Sequence, residues 1–97
     1  MTVYIVAQLK FTDRPTYDRY QAAFWTVFKG YDGRLLAADE RPSPIEGDWP
    51  FEKIVILAFP DEERARRFHD SHEYQAIAAD RKAGAETTSV LVHGFGP

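Results

Sequence analysis

The segment Glu52-Lys53-Ile54-Val55-Ile56-Leu57-Ala58-Phe59 decides the fold. Six apolar residues stand in a row from Ile54, and Pro60 stops the run. Its length and its β-branched side chains fit a strand. Side chains alternate across a strand, so Ile54, Ile56 and Ala58 point one way and Val55, Leu57 and Phe59 the other. Both faces must then be covered, which puts this strand in the middle of a sheet.

Working outward, Thr2–Leu9 (TVYIVAQL) has the same character and reads as a second central strand. Arg34–Glu40 (RLLAADE) and Thr87–His93 (TTSVLVH) are more polar and read as edge strands. A helix joins the first two strands. Asp13 can cap it and Pro15 suits its first turn. Tyr17, Tyr20, Phe24, Val27, Phe28 and Tyr31 then recur at spacings of three and four, forming one apolar stripe. Gly30 and Gly33 stand at its end, where a left-handed residue closes many helices. After Pro60, Asp61-Glu62-Glu63 opens another helix with carboxylates at the positive end of its dipole. Ser71 is a fresh N-cap that breaks and restarts this helix. Tyr74, Ile77, Ala78 and Arg81 continue at helical spacing as far as Gly84.

The order is β-α-β-β-α-β in one domain over residues 1–97. Its compact solution is an α+β, ferredoxin-like fold: a four-stranded antiparallel sheet with the helices on one face, strands one and three central. Helices on one face leave the other face of doubly apolar strands open. A second sheet from an identical chain covers it most simply, so the expected assembly is a homodimer, sheet against sheet.

Composition narrows the function classes. The chain has 97 residues, net charge −3, 14% aromatic residues and no cysteine. Thiol chemistry, disulfides and cysteine-based metal sites are excluded. The acidic balance argues against a nucleic-acid partner. No apolar run approaches the roughly 18 residues of a membrane span, and the opening residues carry no basic leader. The expectation is a cytoplasmic protein with no membrane partner.

The segments VYIVAQLKFTDRPTYDRY, YDGRLLA, IEGDWPFEKIVILAFPDEERARRF, DSHEYQAI and SVLVHGF together resemble the domain of unknown function 1330 family, within the dimeric α+β barrel superfamily. Glu46-Gly47-Asp48-Trp49-Pro50, followed by a strand ending Phe59-Pro60, is the most specific part. His72 departs from the pattern, which has proline there. The resemblance implies a ferredoxin-like fold and a dimer, and no particular reaction. Cofactor-independent monooxygenases, muconolactone-isomerase-like enzymes and haem proteins elsewhere in the superfamily are analogies at the level of fold.

Few residues stand out as chemical. His69 follows Ala65 by one turn and adjoins Phe68, so it borders the face packed on the sheet, where an imidazole suits acid–base work. His69 and His72 form an H-x-x-H spacing, but the break at Ser71 and the lack of a third ligand argue against a metal. Tyr4 faces either the pocket or the dimer interface. Trp25, beside the apolar stripe, closes a cavity mouth or makes a surface contact. In the loop between strands two and three, Glu46, Asp48 and Trp49 are read first as architecture, with Gly47 in a turn and Trp49 covering a sheet end or reaching the partner, and second with Glu46 or Asp48 at a pocket rim. Arg64, Arg66, Arg67, Arg81 and Lys82 alternate with acids and read as a solvated helix face. There is no Gly-rich phosphate loop and no nucleophile elbow.

The resulting expectation is a small-molecule-binding protein or cofactor-independent enzyme, with its pocket between sheet and helices. His69 is the catalytic candidate. Tyr4, Trp25, Asp48 and Trp49 are the ligand-binding candidates, and no cofactor is expected. The alternative is a non-catalytic ligand-binding or structural homodimer module.

Overall fold

A computed structural model describes residues 1–96. The elements are β1 (Val3–Phe11), α1 (Arg14–Phe28), β2 (Arg34–Asp39), β3 (Lys53–Phe59), α2 (Glu62–His69), α3 (His72–Gly84) and β4 (Ala85–His93). The four strands form one sheet in the order β2-β3-β1-β4, with antiparallel neighbours. The two most apolar strands are central, as their two-sided pattern requires.

Parity sorts the sheet residues. Val3, Leu9, Leu57 and Phe59 join the core with Tyr17, Tyr20, Phe28, Ala65, Phe68, Tyr74 and Ala78 from the helices. The helices therefore cover the odd-numbered face of β1 and β3. On the other face, Tyr4 stands between Ala58 and Val92, and Val6 between Ile56 and Val90. A bulge between Leu35 and Ala37 inserts Leu36 into edge strand β2. Leu36, Val90 and Val92 are exposed.

The helix starts follow capping chemistry. The Asp13 carboxylate accepts from the Thr16 amide and hydroxyl, and Asp61 accepts from the Arg64 amide at 2.8 Å. The Ser71 hydroxyl accepts from the Tyr74 amide at 3.1 Å and donates to the Phe68 carbonyl at 2.8 Å. One serine thus closes α2 and opens α3. α1 ends differently from the expectation, with Lys29 in the right-handed region and no positive φ at Gly30 or Gly33.

β1 and β4 are each two residues longer toward their shared end than the sequence pattern predicts. Gly84 is the reason. Its carbonyl accepts from the amides of Thr12 and Asp13 at 3.0 and 3.1 Å, so α3 passes directly into β4 and Phe11 pairs with Ala85. A β-carbon on Gly84 would lie 2.5 Å from the Tyr17 nitrogen and 2.8 Å from the Asp13 carbonyl oxygen. Glycine sets how closely α3 approaches the start of α1. Gly84→Ala is therefore expected to destabilise the fold by about 1–3 kcal/mol, seen as a lower urea midpoint. A midpoint equal to that of the unaltered protein would show that the two backbones separate without cost.

Candidate functional site

Phe68 is fully buried under α2, and the next residue, His69, ends that helix at the edge of the same contact. The His69 side chain is 48% exposed. Its Nδ1 lies 2.9 Å from the Asp70 carboxylate. An ionised carboxylate only accepts, so Nδ1 carries the proton and a neutral ring leaves the Nε2 lone pair free. No described residue bonds Nε2. The Gln75 side-chain amide donates to the His69 carbonyl at 2.6 Å, tying the end of α2 to α3.

His69 stands between two hollows. An inner cavity of about 50 Å³ lies between the helices and β1, β3 and β4, walled by Ile5, Tyr20, Phe24 and Phe68. An outer one of about 150 Å³ opens toward Arg66 and Leu91. Both are lined by Ile5, His69 and Ser89. The inner cavity has room for one or two waters or a small polar group. An organic ligand must extend into the outer hollow.

The inner cavity is polar at one end. Arg81 Nε and Thr87 Oγ1 are buried there without a hydrogen-bond partner. An orphaned buried donor costs about 1–3 kcal/mol, so these two groups call for an acceptor. The Arg81 guanidinium lies 5.9 Å from the Tyr20 ring centre. The Tyr20 and Tyr74 hydroxyls pair at 2.9 Å. Burial pushes the Tyr20 phenol far above the usual tyrosine range and the Tyr17 phenol up to about 12.

The ligand-binding candidates do not gather around His69. Tyr4 lies on the sheet face away from the helices. Asp48 and Trp49 border a hollow that closes against Ile54, on that same far face. The Trp49 ring packs edge-on against Phe51 at 5.3 Å, and Gly47 turns the loop with φ 74°. Trp25 does border a cavity between helix and sheet, but on the β2 side, together with Lys53. Tyr4 and Trp49 are therefore not placed to orient a substrate on His69.

His72 opens α3, exposed, on a different helix from His69. Among the described residues, no three His, Asp or Glu side chains converge to hold a metal. Arg81 is not part of a solvated face. Its spacing from Tyr74, Ile77 and Ala78 carries it onto the stripe that meets the sheet. That spacing was the available signal for Arg81, as the alternation of β3 was for Lys53, which shares a face with Val55, Leu57 and Phe59.

Over residues 2–95 the sequence matches the family described as Domain of unknown function (DUF1330). The chain belongs to that family. No curated protein matches it. Among solved structures, the RPA0582 protein of unknown function from Rhodopseudomonas palustris is similar at TM-score 0.80 and 13% identity, covering 99% of this chain and 84% of that one. SnoaB, a cofactor-independent oxygenase from Streptomyces nogalater, is similar at TM-score 0.72 and 14% identity, covering 99% and 95%. A dimeric ferredoxin-like protein of unknown function from Thermobifida fusca is similar at TM-score 0.69 and 13% identity, covering 97% and 92%. At these identities the likeness establishes the ferredoxin-like α+β fold of this DUF1330 chain and nothing about its chemistry. No helix is long and apolar enough to cross a membrane.

The buried phenols set an alkaline limit on this DUF1330 fold. Tyrosines in the unfolded chain ionise near pH 10, while folded Tyr17 holds its proton until about 12. Above pH 10 the folded state binds more protons than the unfolded one, so its stability falls as pH rises. The stabilisation is complete below pH 10 and is lost between about 10 and 12. Urea midpoints measured across that range should fall, and less steeply for Tyr17→Phe. An unchanged slope in the variant would show that this phenol is not shielded.

Proposed function

We propose that this protein binds a small organic molecule between sheet and helices, as a homodimer and without a resident cofactor, and that His69 serves it as acid or base. The observation that carries the reading is the inner cavity, where unpartnered Arg81 Nε and Thr87 Oγ1 are buried beside the half-exposed His69. Arg81 and Thr87 donate to an oxygen of the ligand, best an anionic one. The rest of the molecule lies in the outer hollow against Leu91. His69 Nε2 accepts a proton from an acidic C–H or O–H of the ligand, and the electron pair left behind settles on the oxygen held by Arg81. Asp70 keeps the ring in the needed tautomer and steadies the imidazolium. The name of SnoaB, a cofactor-independent oxygenase, is in keeping with chemistry that needs no bound cofactor.

The inner cavity's small volume and the exposure of His69 favour a second reading, a non-catalytic ligand-binding or structural homodimer. Solvent exchange separates the two. A panel of enolisable keto acids is incubated in heavy water and followed by proton NMR. The enzyme reading expects one member to lose its acidic C–H signal with the protein, His69→Gln to abolish that loss, and Arg81→Met to weaken binding. Binding without exchange supports the second reading. No binding by any member sinks the site.

The dimer reading rests on the far sheet face, where Tyr4, Val6, Ile56, Val90 and Val92 form an apolar surface on one side of a thin domain. Stable homodimers commonly bury about 2,000 Å² or more in total. Light scattering is expected to give twice the 11.1 kDa chain mass. Val6→Glu, at the centre of this face, is expected to give a monomer. A monomeric unaltered protein would contradict the reading.

A further inference from the structure

The helix-facing side of the sheet holds a second cavity, separated from His69 by the α1 stripe. It has a volume of about 310 Å³ and lies between α1 and strands β2 and β3. Its walls are Phe24, Trp25, Leu35 and Val55, with Lys53 among the lining residues. Lys53 is only 5% exposed. Trp25 and Leu35 are 59% and 42% exposed, a pair of apolar side chains at the rim.

Lys53 has one short side-chain hydrogen bond. Its Nζ donates to Gln21 Oε1 at 2.8 Å and lies 5.0 Å from the Tyr17 ring centre. Glu40 forms an ion pair with it at the longer distance of 3.7 Å. Glu40 is held there because both its oxygens already accept from Arg14, at 3.0 and 2.9 Å. A lysine carries three donors, and only the one to Gln21 is engaged at normal hydrogen-bond distance.

We infer that this cavity is a binding site for a flat, neutral aromatic molecule with a carbonyl oxygen at one edge, the oxygen accepting from Lys53 Nζ. Three features select that class. An apolar cavity of about 150 Å³ takes benzene, so about twice that volume fits two fused rings. The aromatic walls favour stacked and edge-on ring contacts. Arg14 and Lys53 are matched by Asp18 and Glu40, so a carboxylate would bring an uncompensated negative charge beside Glu40, whereas a carbonyl would not. Burial lowers the pKa of Lys53, and either protonation state of the amine donates to a carbonyl.

This site lies across a shared wall of Tyr17, Tyr20, Phe24 and Val55 from the one at His69, and two-dimensional amide NMR tells them apart. The probes are acetonaphthone, naphthalene without an acceptor, and naphthoate with a charged one. Acetonaphthone is expected to bind best, shifting the Trp25 indole, the Gln21 side-chain amide and Leu35 while leaving His69 and Arg81 unmoved. Lys53→Met is expected to weaken acetonaphthone about five- to tenfold, the value of one neutral hydrogen bond, and to leave naphthalene unchanged. Trp25→Ala, at the exposed rim where folding is not at stake, is expected to weaken all the aromatic probes. No shifts at these positions, a Lys53→Met variant that binds the ketone like the unaltered protein, or tightest binding of naphthoate would overturn the proposal. Shifts confined to His69 and Arg81 would overturn it and leave the first site standing.

Discussion

The fold depends on the place of one ring. Phe68 has five aromatic neighbours, with ring centres 6.1 Å away for Phe24, 5.3 Å for Phe28, 5.5 Å for Tyr31, 5.7 Å for Phe59 and 4.5 Å for Tyr74. Such separations are those at which aromatic pairs attract beyond simple burial. The five rings come from α1 and the turn after it, from β3 and from α3. Phe68 is thus the point at which every layer on the helical side is tied to the sheet. Truncating a buried phenylalanine costs about 3–5 kcal/mol, a large part of a small domain's stability. Because Phe68 is fixed, His69 is fixed at the edge of the cluster, half in solvent.

The same packing divides the space beneath the helices. The α1 stripe of Tyr17, Tyr20 and Phe24 presses toward β3 and leaves hollow space on each side. On the β4 side, the polar groups include His69, Arg81, Thr87 and Ser89. On the β2 side they are Lys53, Gln21 and Glu40. Small domains bury few charges, and here buried Lys53 and half-buried Arg81 each border a hollow. Arg81 Nε has no hydrogen-bond partner, and Lys53 has one hydrogen bond and a longer ion pair. That shortfall is the physical basis for reading both hollows as binding sites.

The architecture was legible because it follows from short-range pattern. The run from Ile54 to Phe59 placed β3 at the centre, the Tyr17–Tyr31 stripe set the buried face of α1, and Ser71 marked the break between α2 and α3. The site was less legible. Arg81 lies among alternating charges, which suggests a solvated face, yet its three- and four-residue spacing from Ile77 and Ala78 binds it to the sheet. Lys53 sits at the polar start of a strand, and only the parity of β3 reveals that it points under α1. Tyr4, Asp48 and Trp49 depend on long-range geometry. Which sheet face the helices choose, and on which side the loop after β2 folds back, follow from the whole packing and not from local spacing.

The central claim is that Arg81 and Thr87 turn inward to hold an acceptor. A high-resolution crystal structure tests it most directly. The account predicts that the Arg81 guanidinium lies under Tyr20, and that an ordered oxygen, from water or from an organic ligand, sits within hydrogen-bond distance of both Arg81 Nε and Thr87 Oγ1. An Arg81 side chain turned out to solvent, with the inner cavity closed by its apolar walls, would contradict the account.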